Sequence, residues 1–259
     1  MSGGVHRTAV VDPGARLGAG VTVGPFCVIG ANVEVGEGTW IGSHVVLDGR
    51  TRIGRGNRIF HFASIGGPPQ DKKDAGEDMR VEIGDGNTIR EYVTINRGTK
   101  LDAGVTRVGD DNWIMAYVHF AHDCTLGSHT IVANACQVAG HVSIGDWAIL
   151  GATTLVHQFV SIGAHAFTGM GSYLPQDLPP YVMAAGNTAR PYGINAEGLK
   201  RRGFSPQTIA ALKSAYRTLY RSGLSLEDAR RSLEEQAQGC PEVRPILDFI
   251  AGAKRGLLR

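Results

Sequence analysis

A six-residue repeat of large aliphatic residues runs through two thirds of the chain, and it constrains the fold more than any other feature. It occupies every sixth position over residues 11–65, 83–95 and 108–174. Of these 25 positions, 23 hold Ile, Leu or Val; a small or slim residue stands two positions before each, and glycine directly follows 14 of them. A repeat of fixed period indicates a solenoid whose units stack on their neighbours.

The spacing within each hexad indicates a short strand. One large and one small side chain, two positions apart, point inward from an extended backbone. We expect the glycine that follows to supply a left-handed backbone conformation at a corner. Three such sides close a coil of about 18 residues, and coils stacked about 4.8 Å apart pair as parallel strands. The sequence therefore predicts an all-β parallel β-helix.

Two polar segments interrupt the repeat, residues 67–80 and 97–107. A solenoid can extrude such segments without losing its core, and loops on a regular prism are candidates for ligand contact. We therefore expect a β-helix domain over residues 1–189 with two extruded loops, followed by an α-helical domain over residues 190–259.

The residues after the repeat contain helix start signals. Ser205 followed by Pro206 is typical of a capped helix N-terminus, and Ser225 predicts the start of a second helix that ends near Gly239. A third helix is expected over residues 241–253. The apolar faces of these helices predict a small helical domain packed on the end of the prism.

Charge is distributed unevenly along the chain. Residues 190–259 carry 13 basic and 7 acidic side chains, whereas residues 1–189 carry 13 and 17. A basic tail beside an acidic body suggests an acidic partner or a phosphorylated ligand. No basic stripe interleaved with aromatic residues indicates nucleic acid binding. No run of about 18 apolar residues and no apolar signal core occur, so we expect a cytoplasmic protein without a membrane span.

Three of the four cysteines, Cys27, Cys124 and Cys136, fall at the small inward position of the repeat. No CxxC pair indicates a zinc ribbon or a redox dithiol. We therefore expect these thiols to pack in the core rather than to react.

Four histidines gather within about three predicted coils. They are His119, His122, His141 and His157. Because residues about 18 apart lie above one another, His122, Gly140 and Gln158 form one column, and His141 follows Gly140 directly. His157 also takes a corner position where glycine is usual.

The histidines admit three interpretations. They are outward-facing polar residues of a prism, or ligands of a metal, or a general base beside a backbone donor. His119 and His122 supply only an H-x2-H pair, so a zinc site would need ligands from a neighbouring chain, and we expect no resident metal. A histidine with a pKa near 6.5 can take a hydroxyl proton at neutral pH, and the amide of Gly140 can approach an oxyanion closely.

Three segments carry a more specific signal, namely HFAHDCTLGSHTIVANACQVAGHVSIGD, VHQFVSIGAHAF and GNTARPYGINAEGLKRRGFS. Through them, essentially the whole chain resembles the UDP-N-acetylglucosamine O-acyltransferase family of lipid A (lipopolysaccharide) biosynthesis. The resemblance implies a left-handed β-helix that forms a homotrimer, with active sites between subunits. It also implies transfer of an (R)-3-hydroxyacyl chain from acyl carrier protein to the 3-hydroxyl of UDP-N-acetylglucosamine.

The resemblance assigns catalytic roles to three residues. His122 matches the general base that deprotonates the sugar hydroxyl, and Asp123 matches the residue that orients its imidazole. The Gly140 amide matches the donor that stabilises the oxyanion. Direct transfer implies no covalent enzyme intermediate and no cofactor other than the phosphopantetheine on which acyl carrier protein bears the acyl chain.

The resemblance also implies substrate-contacting residues in the first loop, the histidine cluster and the tail. They are Gln70, Asp71, Lys73, His119, His141, His157, Gln158, Met170, Asn195, Glu197, Arg201 and Arg202. Arginines suit a diphosphate because their planar guanidinium donates in pairs. The basic tail is also expected to attract the acidic carrier protein.

Two positions depart from the family pattern. Asn96 stands where related chains often have histidine, which puts a role for that position in doubt. Met170 stands at the position of the acyl-length ruler, where some members have glycine. Because added bulk excludes methylenes at about 1–3 kcal/mol each, we expect a medium chain of roughly ten carbons.

Other functions make distinguishable predictions. A related hexapeptide-repeat N-acyltransferase normally has an additional N-terminal sugar-binding domain, whereas the repeat here starts at Val11. A β-helix zinc enzyme of the carbonic anhydrase type requires stoichiometric zinc. A purely structural solenoid does not need clustered histidines.

Overall fold

The computed structural model describes residues 4–74, 78–100 and 102–259. In this part of the chain, short strands wind into a left-handed parallel β-helix that ends in an antiparallel pair and is followed by a helical region, which confirms the predicted fold class. None of the helices among these residues is both long enough and apolar enough to cross a membrane.

The strands are two to five residues long. They are β1 Val10–Val11, β2 Arg16–Leu17, β3 Thr22–Val23, β4 Val28–Ile29, β5 Val33–Val35, β6 Trp40–Ile41, β7 Val46–Leu47, β8 Arg50–Ile53, β9 Arg58–Ile59, β10 Ser64–Gly67, β11 Arg80–Ile83, β12 Thr88–Ile89, β13 Thr94–Asn96, β14 Val105–Val108, β15 Trp113–Ile114, β16 His119–Phe120, β17 Thr125–Leu126, β18 Ile131–Val132, β19 Gln137–Val138, β20 Ser143–Ile144, β21 Ile149–Leu150, β22 Leu155–Val156, β23 Ser161–Ile162, β24 Phe167–Thr168, β25 Tyr173–Leu174, β26 Val182–Ala185 and β27 Arg190–Ile194. The helices are α1 Ala196–Arg201, α2 Pro206–Tyr220, α3 Leu226–Gly239, a 3₁₀ turn Pro241–Val243 and α4 Arg244–Gly252.

From β1 to β25 every third strand belongs to the same sheet, so the prism has three sheets and three edges. Sheet 1 runs from β1 to β25, sheet 2 from β2 to β23, and sheet 3 from β3 through β24 to β26 and β27. We call the edge from sheet 1 to sheet 2 edge A, that from sheet 2 to sheet 3 edge B, and that from sheet 3 to sheet 1 edge C. The parallel register pairs Phe120 with Val138, 18 residues on, and Val138 with Val156.

The two inward rows of the repeat form the core. The large positions are buried from Val23 to Leu174, whereas Val11 and Leu17 at the open end are partly exposed. Phe120, the one aromatic residue of the row, is 1% exposed.

The three inward cysteines are buried, as predicted. Their thiols donate to carbonyl oxygens of the next coil, Cys124 at 3.1 Å and Cys136 at 3.2 Å. Burial raises the pKa of Cys124 to about 12 and that of Cys136 to about 11, which keeps both thiols protonated and unreactive.

The repeat requires glycine for a different reason from the one expected. Left-handed backbone falls three positions after the inward residue, at Phe26 and His44 for example. A Cβ on Gly36, which directly follows an inward residue, would lie 2.5 Å from the carbonyl carbon of Gly54 in the next coil. The close approach of successive coils therefore excludes a side chain there. Gly66, with φ of 84°, is an exception in which the backbone itself is left-handed.

Two non-repetitive segments separate strands of the prism, and both are shorter than the predicted loops. The first covers residues 68–79, of which 75–77 lie outside the described residues, and the second covers 97–104, of which 101 does. The prediction of 97–107 was wrong at its end because the backbone has already rejoined sheet 2 in Val105–Val108, where Val105 is 2% exposed.

Two of the predicted helix starts are confirmed. The Ser205 hydroxyl accepts from the amide of Thr208 at the start of α2, and Ser225 caps α3 in the same way. The third begins as the 3₁₀ turn and continues as α4. The strands β26 and β27 and the short helix α1 were not predicted. The helices start at Ala196, and the boundary between domains at residue 189 stays a prediction.

Aromatic rings on edge B hold the helical region against the prism. His165 stacks on Tyr181 with ring centroids 5.6 Å apart, and Phe204 meets His165 edge-on at 5.3 Å. The Arg202 guanidinium lies 5.0 Å from the centre of the Trp147 ring. Burial, and then the charge of Arg202, lowers the pKa of His165 to about 4, so this ring is neutral at pH 7.

Replacing Gly36 with alanine is expected to lower the free energy of unfolding by about 1–3 kcal/mol, because the new methyl group overlaps the next coil. Denaturant titration followed by circular dichroism measures the change. Gly38→Asn is the control: Gly38 has φ of 67° and open space around it, and asparagine tolerates this conformation, so the change is expected to stay within about 0.5 kcal/mol. Equal stability of the two variants would contradict the steric explanation.

Candidate active site

Edge A collects both loops and the histidine cluster. The strands β10, β13, β16, β19 and β22 are successive neighbours in sheet 1, and their carboxyl ends all lie at this edge. The first loop leaves β10 and the second leaves β13. The short turns 121–124, 139–142 and 157–160 follow the next three strands. Parallel stacking therefore brings segments far apart in the chain to one edge.

His122 and Asp123 form a hydrogen-bonded pair in the first of these turns. His122 Nδ1 lies 3.0 Å from Asp123 Oδ2, and the Asp123 side chain is 1% exposed. The carboxylate also accepts from the Thr99 amide at 2.9 Å and from the Thr99 hydroxyl at 2.7 Å. The Asp123 amide donates to the Thr106 hydroxyl. A buried carboxylate with this many donors is held firmly and fixes the orientation of the imidazole.

Gly140 lies directly against the imidazole of His122, as the predicted column requires. A Cβ at Gly140 would lie 2.6 Å from His122 Cε1 and 2.8 Å from Nε2. The backbone amide of Gly140 donates to no acceptor among the described residues. The two stacked turns therefore present an imidazole and an unused amide side by side, and only glycine at position 140 leaves room for both.

His141 adds a second histidine–carboxylate pair. Its Nδ1 lies 2.9 Å from Asp102 Oδ2 in the second loop and 3.8 Å from Asp123 Oδ2. The ring stacks on Phe159 at 4.3 Å and meets the ring of His122 edge-on at 5.0 Å. The hydrogen bond with His141 lowers the pKa of Asp102 below its usual range.

His119 and His157 line a groove on the outer face of sheet 1, beside edge A. The groove residues are His119, Gln137, Val138, Ala139, Leu155, Val156, His157 and Tyr173. Burial, and then the charge of His122, lowers the pKa of His119, whose Nδ1 lies 2.7 Å from the Thr94 hydroxyl. His157 Nδ1 lies 3.3 Å from an Arg255 nitrogen. Gln158 is exposed at the same edge.

Gln70, Asp71 and Lys73 share edge A, but among the described residues none of the three forms a hydrogen bond or an ion pair with a histidine. Asp71 accepts from the amide of Lys73 at 3.0 Å, and the side chains of Gln70 and Lys73 are exposed. Asn96, at the root of the second loop, donates to the carbonyl of Pro68 at 2.9 Å. Asn96 therefore links the roots of the two loops. This contact does not explain why asparagine stands here instead of histidine.

The tail residues lie near edge B instead. Asn195 is buried, caps α1 and donates to the carbonyl of His165 at 3.2 Å. Glu197 and Arg201 are exposed on α1, and Arg202 packs over the edge B rings described above. The structure thus separates these four predicted site residues from His122.

Met170 lies on edge C, in the turn after β24, and is 78% exposed. The predicted site residues are therefore divided among all three edges. A single chain gathers seven of the predicted residues at edge A: His119, His122, Asp123, Gly140, His141, His157 and Gln158. The predicted first-loop residues lie at the same edge, and the remaining ones lie near edge B or on edge C.

Several contacts in the site were missed from sequence. Thr99 and Asp102 belong to a loop without a repeat, so no register predicts which of its residues turns back toward the histidines. Arg255 reaches His157 because Asp177, fully buried, accepts from the Arg255 amide at 3.0 Å and holds the C-terminal segment on the prism. A contact between residues 98 apart along a non-repetitive segment has no signal in the pattern.

The histidine cluster also has donor atoms of the kind that bind metals. His122, Asp123 and His141 each offer one within 4.8 Å of the others. This trio differs from the His119 and His122 pair suggested by spacing. In the structure its nitrogen and oxygen atoms serve an internal network, because both Nδ1 atoms face carboxylates and Asp123 accepts from Thr99.

Comparison with known proteins gives matches along the whole chain. A family model described as UDP-N-acetylglucosamine O-acyltransferase, domain 2, matches residues 177–258, and the bacterial transferase hexapeptide model matches residues 105–136. The acyl-[acyl-carrier-protein]–UDP-N-acetylglucosamine O-acyltransferase of Thiobacillus denitrificans is 56% identical over 255 residues, 98% of this chain and 99% of that protein. The enzyme of the same name from a Janthinobacterium strain is also 56% identical, with the same coverage.

Solved structures agree with the sequence relatives. LpxA from Acinetobacter baumannii superposes with a TM-score of 0.97 at 43% identity and covers 98% of this chain and 99% of its own. The Arabidopsis UDP-N-acetylglucosamine acyltransferase does so with a TM-score of 0.83 at 36% identity, over 98% of this chain and all of its own. With this identity and this fold over nearly its entire length, the chain belongs to the UDP-N-acetylglucosamine O-acyltransferase family.

Proposed function

We propose that this acyltransferase moves an (R)-3-hydroxyacyl chain from acyl carrier protein to the 3-hydroxyl of UDP-N-acetylglucosamine, the first step of lipid A biosynthesis. Relatives that match nearly the whole chain are named for this reaction, which supports the two substrates. The observation that carries the mechanism is the His122–Asp123 pair beside the unused Gly140 amide.

His122 acts as the general base in this proposal. Its Nδ1 is committed to Asp123, so Nε2 is the atom that takes the proton of the sugar 3-hydroxyl. The buried carboxylate of Asp123 stabilises the imidazolium that forms, because the opposite charge lies 3.0 Å away in a place that water does not reach. The two residues play the parts of base and orienting acid in a histidine–carboxylate dyad.

The sugar oxygen then attacks the carbonyl carbon of the thioester. The carbonyl oxygen becomes an oxyanion, and the Gly140 amide is the donor positioned to stabilise it next to His122. When the tetrahedral intermediate collapses, the new ester C–O bond remains and the C–S bond breaks. The phosphopantetheine thiolate leaves and takes the proton from His122, which restores the neutral base. No enzyme nucleophile and no resident metal or cofactor takes part.

We further propose that the working enzyme is a cytoplasmic homotrimer with sites between subunits. His122 lies on edge A, whereas Arg201 and Arg202 lie near edge B. Met170 lies on edge C. The groove beside His119 and His157 is open to solvent in the single chain, and a neighbouring copy supplies the opposite wall. Sedimentation equilibrium measures the state directly, and a monomer with full activity would contradict the proposal.

An acyl transfer assay tests the reaction. Purified protein is incubated with UDP-N-acetylglucosamine and a series of carrier-bound 3-hydroxyacyl donors of increasing length, and the acylated sugar nucleotide is detected by mass spectrometry. Metal analysis of the same sample distinguishes the zinc enzyme, since that function needs one zinc per site. No product with any donor would contradict the proposed reaction.

Replacing His122 with alanine is expected to lower kcat by about 10²–10⁴-fold, because the hydroxyl then loses its base. Steady-state kinetics with the preferred donor measures the loss. His6→Ala is the control, since the hydrogen bonds of that ring with described residues are all to Thr8, at the open end of the prism. A fully active His122→Ala enzyme would remove the base assignment.

Replacing Gly140 with alanine is expected to lower kcat by about 10²-fold or more although the backbone amide is kept, because the methyl group overlaps the imidazole of His122. The double variant with His122→Ala is then no slower than His122→Ala alone. Gly239→Ala, with nothing within 4 Å of its new methyl group, is the control. If the kcat of the double variant falls by the product of the two single losses, Gly140 acts independently of the imidazole.

Met170 is proposed to limit the acyl chain to about ten carbons, because its side chain excludes further methylenes at about 1–3 kcal/mol each. Met170→Gly is expected to shift the preference toward longer donors in the assay above. Met170→Leu keeps the bulk and is expected to keep the preference. The same chain-length profile in the glycine variant would contradict a ruler at this position.

A further inference from the structure

We propose that Asp102 is a positioning residue that holds the proton of His141 on Nδ1, so that His141 Nε2 accepts a hydrogen bond from an N–H or O–H group of the sugar nucleotide. The inference rests on the proposed function for the identity of that ligand. It assigns a role to a carboxylate of the second loop that the mechanism above does not use.

The ring of His141 is held on several sides. Asp102 Oδ2 lies 2.9 Å from Nδ1, and Asp123 Oδ2 lies 3.8 Å from the same atom. Phe159 stacks on the ring face with an angle of 6° between the planes. The backbone amide of His141 donates to the carbonyl of His122 at 3.0 Å, which sets the position of the residue on edge A.

These contacts determine which ring nitrogen carries the proton. A carboxylate accepts hydrogen bonds and donates none when it is ionised, so a nitrogen 2.9 Å from Asp102 must carry hydrogen. In a neutral imidazole the other nitrogen is then an acceptor. No described residue forms a hydrogen bond with His141 Nε2.

The consequence concerns recognition of the acceptor sugar. His122 and His141 lie with ring centroids 5.0 Å apart, and each has its Nδ1 turned to a carboxylate. Both rings therefore present an unprotonated Nε2. His122 uses this atom to take a proton, whereas His141 uses it to accept a hydrogen bond without transfer. A sugar ring bearing hydroxyl and acetamido groups offers donors of that kind.

Asp102 is a better candidate for this role than Asp123. Asp123 is already saturated by His122 and Thr99, and its distance of 3.8 Å from His141 is too long for a hydrogen bond. The Asp102 side chain is 52% exposed and comes from a loop, so the pair forms only when the second loop is in place. The loop thereby becomes part of the binding site through one carboxylate.

Nitrogen-15 NMR of histidine-labelled full-length protein tests the tautomer directly. At pH 8.5 the His141 signals of the wild type are expected to show hydrogen on Nδ1, and His141→Ala identifies them. In Asp102→Ala the Nε2–H form is expected to appear. A wild-type ring with hydrogen on Nε2, or an unchanged tautomer in Asp102→Ala, would overturn the proposal. This measurement needs no substrate, so its failure is distinct from a failure of the proposed function.

Kinetics test the consequence for binding. Asp102→Ala is expected to raise the KM for UDP-N-acetylglucosamine about tenfold while kcat changes less than about threefold, by analogy with the roughly 10–100-fold losses that follow removal of a carboxylate behind a metal-binding histidine. Asp102→Asn keeps an acceptor oxygen and is expected to recover most of the affinity. A fall in kcat with KM unchanged, or no rescue by asparagine, would overturn the positioning role.

Asp111→Ala is the matched control. Asp111 is an exposed carboxylate whose Oδ2 lies 3.7 Å from the Nδ1 of His129, but this pair is on edge B. Its left-handed backbone tolerates alanine, since Ala135 occupies the equivalent corner position with φ of 58°. KM and kcat are expected to stay at their wild-type values. A tenfold rise in KM in this variant would show that loss of any exposed carboxylate has the effect.

Discussion

The parallel hydrogen-bond register between coils is the constraint on which the site depends. Residues one coil apart pair directly, as Phe120 does with Val138, so each corner residue lies under a fixed partner in the next coil. This register puts Gly140 against the imidazole of His122 at a distance that admits no side chain. Chemistry at edge A is therefore set by the same close approach of backbones that forces glycine on the structural corners. A shift of one residue in the register would point the inward rows outward and separate the two groups.

The His122–Asp123 pair also depends on a buried negative charge, the Asp123 carboxylate, that remains hydrogen-bonded to several donors. Asp123 accepts from the Thr99 amide and hydroxyl in addition to facing His122, and these donors offset the cost of removing a carboxylate from water. Thr99 belongs to the second loop, which leaves the prism at the strand below. The loop therefore holds the Asp123 carboxylate through Thr99 and also contacts His141 through Asp102. Its position on the same edge follows from parallel stacking, whereas its contacts follow from its own conformation.

The periodic part of the molecule could be predicted from sequence because the position of a residue within the repeat determines whether its side chain points inward or outward. Burial of the inward rows, the packed cysteines and the column of His122 and Gly140 all follow from counting. The prediction of left-handed backbone at these glycines was wrong. The pattern indicates that a side chain is excluded, but not whether the reason is a positive φ or steric overlap with the next coil. Thr99, Asp102 and Arg255 were missed because non-repetitive segments carry no register. For such residues only the folded backbone shows which distant side chain lies within reach.

Separation of the predicted residues among three edges follows from the geometry of a triangular prism. Each coil turns about a third of a circle at every corner, so residues at successive corners of one chain face away from one another. His122 on edge A, Arg202 near edge B and Met170 on edge C cannot meet on one prism, however its loops move. The homotrimer proposed above resolves this separation, because an edge of one chain then faces a different edge of its neighbour. In that proposal, each site for the sugar nucleotide and the acyl chain takes its two walls from two neighbouring prisms.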